Sequence, residues 1–481
     1  MRTNIFIILT VGSLLLQQLN AQQHIGIGTS SPSEKLHVAG NIKADTIKPH
    51  ILRISSGAGE GKVLMSDASG NATWKNSNSS APGNIGFGVW GDCAANGNIT
   101  EYNPVVDADG SSFDLFGWSV AISGDYAIVG AKDDDPASDQ FSMNGSATIY
   151  HYNGTTWEVM QKLTDSASER SDFFGQSVSM SNNYAIVGIP GDDTAQGSVN
   201  VYELFGENWV LAQKIIAANG DVLDNFGTSV CISDNRIIVG ANGDDIGGSG
   251  SKGSANIYQY NGNRWVLMQK LTDIGGAAGD NFGKTVSISG NFAIVGAPND
   301  DVGANADQGS VSFFQYDGSN WILQQRIIDI TGGATDHFGN SVSISVNRAI
   351  IGAYFDDVGS NSFQGSASIY ELKNGSWQLV QKLTDAEGAA NDNFGTSVAI
   401  SGNYALVGSA AGTFGANAGS VTIYLKLGNG WGRLQQVTDP MANPTDAFGH
   451  SAAIDAVSKR FLIGAVNYAL GSGKAIFGKV N

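Results

Sequence analysis

The chain has 481 residues, 44 acidic against 26 basic side chains and a formal net charge of −18. That length suits several domains or one long repeat array, and the acidic excess speaks against nucleic acid or an anionic membrane surface while favouring cations or basic surfaces. The two cysteines, Cys93 and Cys231, exclude a disulfide-dense scaffold; unpaired thiols with Cys231 filling a core position are the favoured reading, and a single bridge stays open.

Met1-Arg2 precedes an apolar run from Ile5 to Leu16, and Leu19-Asn20-Ala21 closes it with a small residue. A charged start, a short apolar core and a small residue describe a secretory signal peptide over residues 1–21, so the expected location is secreted or cell-surface. The run is too short to span a bilayer, nothing later resembles a transmembrane helix, and no cysteine follows it to carry a lipid.

Residues 22–75 have their own character. Leu36, Val38 and Ile42 follow a period-2 strand pattern broken by glycine, and Gly61 to Trp74 reads as a hairpin turning at Ser69-Gly70-Asn71. The segment resembles the N-terminal module of secreted Bacteroidetes-type and phage tail-fibre-like proteins, which implies a β-rich stalk or attachment piece. With few apolar residues for a core, it is expected to oligomerise or dock. Residues 76–98 are rich in Asn, Ser and Gly and read as a linker.

From residue 99 onward the chain repeats. A Phe-Gly head stands at Phe116, Phe174, Phe226, Phe282, Phe338, Phe394 and Phe448, at intervals of about 56 residues. Each unit has four apolar stretches, as in Phe282 to Ile288, Ala293 to Ala297, Gly309 to Phe314 and Trp321 to Ile327, separated by Gly/Asn/Asp turns. Four short strands per unit with no helical period predict an all-β, seven-bladed β-propeller of four-stranded blades over residues 99–481.

The two ends of the array support that count. The seventh unit stops after its third strand, at Gly473 to Phe477. Asp107 precedes the first head by the same interval as Asp165 precedes the second, so Ile99 to Val106 falls in register with a fourth strand. An N-terminal strand is therefore expected to complete the last blade and remove the open edges, with Pro104 tolerated on the outer edge.

Phe-Gly heads paired with Gly-Ala or Gly-Ala-Pro, as in Gly296-Ala297-Pro298, resemble the FG-GAP repeats of the integrin α-subunit propeller and its bacterial relatives. The resemblance implies a binding or adhesion platform and, in some blades, a calcium loop of the Asp-x-Asp-x-Asp-Gly type between the first two strands. Here that connection is a short turn such as Ser289-Gly290-Asn291-Phe292, too short to wrap an ion, so the family's calcium site is carried over onto no blade.

Other acidic features recur. Pairs stand between the second and third strands at Asp134-Asp135, Asp192-Asp193, Asp244-Asp245, Asp300-Asp301 and Asp356-Asp357, while the last two units lack them. Adjacent like charges repel unless something binds, so these ten residues are the candidate cation ligands, Ca²⁺ first. An Asp two residues before every head, Asp114, Asp172, Asp224, Asp280, Asp336, Asp392 and Asp446, is expected to fix the turn by accepting backbone N–H groups. Chain direction reverses at every turn, which gathers both features on one face. The tryptophans at one strand position in six units are expected in blade packing rather than sugar stacking.

The histidines of the array, His151, His337 and His450, occupy different repeat positions, and no nucleophile elbow or phosphate loop is visible. The expected function is non-enzymatic: a binding or adhesion protein that meets a protein or glycan partner through the acidic loop face. The alternatives are an extracellular polysaccharide hydrolase or lyase and a structural fibre component, with homo-oligomers formed through the N-terminal module.

Overall fold

A computed structural model describes residues 25–27, 36–38, 62–66, 72–76, 101–135, 142–167, 169–248, 250–410 and 418–480. The chain divides into two compact units, Met1–Asn84 and Ile85–Asn481. In the first, Ile25–Ile27 and Leu36–Val38 pair in parallel, and Lys62–Ser66 and Ala72–Asn76 form an antiparallel pair with Ser66 opposite Ala72. The predicted turn at Ser69-Gly70-Asn71, the signal peptide, the linker and Cys93 lie outside the described residues.

The second unit is seven four-stranded antiparallel sheets in a ring, each innermost strand packed on the next and the seventh on the first. Blade 4 shows how the sequence builds one, with strands Thr285–Ser289, Phe292–Ala297, Ser310–Tyr316 and Trp321–Ile327. Its second strand is buried at every position after Phe292 because neighbouring blades cover both of its faces, which is why it reads as an unbroken apolar run. Gly290-Asn291 joins the first two strands, with Ser289 opposite Phe292 and Gly290 at φ 56°. That is the positive-φ geometry of a two-residue hairpin.

Each apolar cluster lies between blades. Phe282, Val286 and Trp321 of blade 4 pack on Ile238, Ile257 and Leu271 of blade 3. The two glycines of the repeat sit at this junction. Gly339 follows the head of blade 5, and a Cβ on Gly296 of blade 4 would lie 2.2 Å from its carbonyl oxygen. Any side chain there would push the blades apart.

An inner ring of hydrogen bonds and five outer bridges tie the blades together. On the inner strands a Ser or Thr hydroxyl donates to the glycine carbonyl of the next head, from Ser119 to Gly175 at 2.7 Å and on around to Ser451, which reaches Gly117 at 2.7 Å. On the outer strands Gln161 brackets the next tryptophan, donating to the Trp209 carbonyl at 3.0 Å and accepting its N–H at 2.9 Å. Gln213, Gln269, Gln325 and Gln381 repeat this bridge.

Tyr102–Val105 is the fourth strand of blade 7, pairing with Lys474–Lys479 so that Val105 faces Ala475 and Tyr102 faces Gly478. The predicted closing strand is therefore present within Ile99 to Val106, with Pro104 opposite Ile476 on the outer edge. Cys231 is unpaired, its Sγ 3.9 Å from Ser287 Oγ in the neighbouring blade.

Candidate functional site on the loop face

The connections from second to third strand and from fourth to the next first strand open on one face, as the alternation of direction requires, and ion pairs join them. In blade 5, Asp356 follows the second strand Arg348–Ala353 and is buried in a turn whose N–H bonds Ala353 O at 3.2 Å. Its carboxylate meets Lys382 Nζ at 2.6 Å, and the same ammonium meets Asp329 at 2.7 Å. Lys382 stands five residues after Trp377 on the fourth strand, Ser376–Leu383. Burial pulls its ammonium pKa down, but bonds from Asp329 and Asp356 outweigh this and raise it.

The arrangement recurs blade by blade. Lys162 joins Asp107 at 2.9 Å and Asp134 at 2.8 Å, and Lys214 joins Asp165 at 3.1 Å and Asp192 at 2.6 Å. Lys270 pairs with Asp244 alone, because Ala217 stands where its second partner would be. Arg326 pairs with Asp300 and lies 3.7 Å from Asp273. Blade 6 has no aspartate pair; Gln436 replaces the lysine and donates to Asp385 at 3.2 Å.

The second member of each pair turns elsewhere. Asp135 accepts the Met143 N–H at 2.6 Å, Asp245 the Ser251 N–H at 2.7 Å, Asp301 the Asp307 N–H at 2.9 Å and Asp357 the Phe363 N–H at 2.9 Å. Asp193 stands exposed in a left-handed turn at φ 51°. Each of the five pairs is thus split by the fold, one carboxylate to an internal cation and the other outward to its own loop.

Calcium needs six to eight oxygen ligands. The donor set here does not fit it: the first carboxylates face ammonium or guanidinium groups and most of the second cap backbone N–H groups. Among the described residues, no group of three or more His, Cys, Asp or Glu side chains is placed to hold a metal ion.

The aspartates before the heads behave as turn anchors in all seven units. Each accepts the N–H of the residue three before it, as Asp336 does from Gly333 at 2.6 Å and Asp446 from Asn443 at 2.9 Å. Burial pushes the Asp336 carboxyl up to about 6, against the pull of that N–H bond. The tryptophans at the start of the fourth strands are buried in blade packing.

Sequence reasoning missed two features of this face. One is the basic residue five positions after each of the first five tryptophans, a periodic signal as regular as the aspartates. The other is a set of apolar side chains projecting from the inter-blade loops, Ile274 at 85%, Ile330 at 88% and Met441 at 74% exposure. An isoleucine directly after Asp273 and again after Asp329, nine residues before a head, was the available sign.

A model of the FG-GAP repeat matches residues 100–150, 157–205, 209–258, 265–314, 321–370 and 377–424, more than half of the chain. The chain belongs to the FG-GAP repeat family. In this FG-GAP protein the matched unit runs from a fourth strand to the third strand of the following blade, so each sequence repeat straddles two blades. The first three strands of the seventh blade lie beyond the matched segments, and its fourth, Tyr102–Val105, opens the first of them. A comparison with curated proteins finds no match. No helix among the described residues is long and apolar enough to cross a membrane.

Proposed function

We propose that this FG-GAP propeller is an extracellular binding or adhesion protein that takes a protein or glycan partner on its loop face, without catalysis and without a bound metal. The observation that carries this reading is the exposure of Ile274, Ile330 and Met441 on that face. Single exposed apolar side chains are ordinary on a protein surface; what sets these apart is recurrence in the inter-blade loop, with Ile274 and Ile330 each directly after an aspartate, which presents them on one face of a rigid ring. The paired lysines leave the inner carboxylates neutralised, which lowers the cost of covering the face.

The test uses the labelled full chain on arrays of glycans and extracellular proteins, with Ca²⁺ and with EDTA. Binding that survives EDTA, is lost in the double variant Ile274→Asp/Ile330→Asp and persists in Ser319→Lys on the opposite face supports the reading. Binding lost equally in both variants, or in neither, overturns it.

A further inference from the structure

The loop face carries a cleft of about 340 Å³ over blade 2. It lies between the loop that enters this blade, Glu169 to Phe173, and the loop that leaves it, at Leu223 and Asn225, with the turn from Pro190 to Ala195 between them.

A short connection makes the room. From its second to its third strand blade 2 uses residues 190–197, four fewer than the connection 298–309 of blade 4. To turn in that length the chain runs left-handed through Asp193, Thr194 and Ala195, at φ 51°, 59° and 64°, a conformation that crowds any side chain. Such strain persists only where the surroundings fix it. Here the Asn225 N–H donates to the Ala195 carbonyl at 2.9 Å and the Gly191 N–H to the Asp172 carbonyl at 3.0 Å, so the walls of the cleft are set before anything binds.

Blade 7 makes the same turn, through Ala469 and Leu470 at φ 49° and 64°, and fills the matching space. Ala410, Ala447 and Val466 are buried there, with Leu115 and Trp118 packed on them. Blade 2 has Phe173, Pro190, Asn225 and Thr228 where blades 7 and 1 have Ala447, Val466, Leu115 and Trp118. The first three of these line the open cleft.

The cleft presents apolar walls and an acidic border. Phe173, Pro190, Ala195 and Leu223 line it, Leu223 at 64% exposure with Val222 beside it in the chain at 62%. Lys132 stands 5.2 Å from the centre of the Phe173 ring. Glu169 is part of the lining, and exposed Asp193 and Asp221 adjoin the lining residues in the chain; among the described residues neither aspartate has an ion-pair partner. Arg170 is the one basic residue of the lining. In a chain of net charge −18 this border favours a cation.

We infer that the cleft over blade 2 receives a large apolar side chain of a protein partner, flanked in the partner's chain by lysine or arginine. The volume suits a single large side chain, whose burial against the apolar walls supplies the affinity. The exposed carboxylates meet the flanking cations at the rim, where they orient and speed the encounter. A sugar would set its hydroxyls against those apolar walls, and an acidic sugar would also face Asp193 and Asp221, so the cleft favours a peptide over a glycan. This inference rests on the loop-face reading and names the partner's class.

Panning a phage-displayed library of random dodecapeptides on the immobilised full chain tests it. Peptides with Leu, Phe or Trp beside Lys or Arg should be enriched, and the best of them, labelled, should bind in fluorescence anisotropy with an affinity that falls as salt rises. Asn225→Leu/Thr228→Trp copies the packing of blade 7 into the cleft and should weaken this peptide by about tenfold. Leu223→Asn, which installs the residue that blade 6 carries at Asn391, removes one wall without adding charge; it should also weaken the peptide, and it decides the matter if the filled variant fails to fold. Asp193→Asn/Asp221→Asn should weaken binding by about fivefold, and Ile274→Asp/Ile330→Asp, on other loops, should leave it unchanged. No enrichment, an enriched sequence without a basic residue, or a peptide that binds the folded cleft variant as tightly as wild type overturns the inference. A glycan captured on the array and lost in the filled variant would assign the cleft to sugar and overturn it too. If peptides fail while array partners are still captured through Ile274 and Ile330, only the cleft falls; if both fail, the loop-face reading falls with it.

Discussion

Lys474 and Asp439 form an ion pair inside blade 7, their side chains only 5% and 0% exposed. The other six blades begin the third strand with serine, from Ser146 to Ser420, and five of them bring the cation from the fourth strand. In blade 7 that register position is Pro104 on the closing strand, so the cation has moved to the third strand. Asp439 also accepts the Tyr102 hydroxyl at 2.5 Å, which ties the closing strand to the same pair.

Breaking this pair from one side should be costly, because it leaves a buried, uncompensated charge. Lys474→Met is expected to destabilise the propeller by about 3–5 kcal/mol, read from denaturant unfolding. Replacing both partners with apolar residues should recover much of the loss. A loss below about 1 kcal/mol, the range of surface pairs, would show that Asp439 is hydrated or that Tyr102 alone holds the strand.

Val346 occupies the first turn position that Gly124, Gly290 and Gly402 hold in sibling blades, at φ 57°. A β-branched residue in the left-handed region costs about 1–2 kcal/mol. Its side chain is 69% exposed and contributes little packing. Val346→Gly should therefore raise stability by about 1 kcal/mol, offset in part by the entropy of glycine in the unfolded chain. An unchanged or lowered melting temperature would mean the turn tolerates valine without strain.

The aspartates divide into two classes with opposite pH dependence. Asp336 has its carboxyl raised by burial to about 6 from an ordinary 3.8, so the folded chain holds a proton that the unfolded chain releases. Its contribution is most favourable below pH 4 and declines as pH rises through 6. Asp329 and Asp439 are held below the ordinary value: burial opposes this, but Lys382 with Thr331, and Lys474 with Tyr102, outweigh it. Their contribution is present above pH 4 and is lost as pH falls. Asp336→Asn keeps an acceptor for the Gly333 N–H, so it should be more stable than wild type at pH 7 with an advantage that shrinks toward pH 4. Parallel curves across that range would remove Asp336 as the titrating group.

Much of the fold was legible because the repeats check one another. Phe282 and Gly283, aligned with their siblings, place the innermost strand, and the offset of Asp107 from Phe116 locates the closing strand. Asp336 was legible as a turn anchor because it recurs in every unit. The Asp300-Asp301 pair was harder. Two adjacent carboxylates invite a cation, and only the long-range pairing of Asp300 with Arg326 shows that the cation is a side chain. The apolar tips were passed over because turn chemistry draws attention to Asp and Gly rather than to the isoleucine beside them.

The claim that the acidic loops are closed by the protein's own cations is tested most directly by calorimetric unfolding of the full chain in millimolar Ca²⁺ and in EDTA. Equal midpoints are expected, because Lys162, Lys214, Lys270, Arg326 and Lys382 already face the inner carboxylates. A calcium ion bound at a hundredfold excess over its Kd would add about 2.7 kcal/mol and raise the midpoint by degrees. Such a rise, lost in Asp300→Asn or Asp356→Asn, would contradict the account.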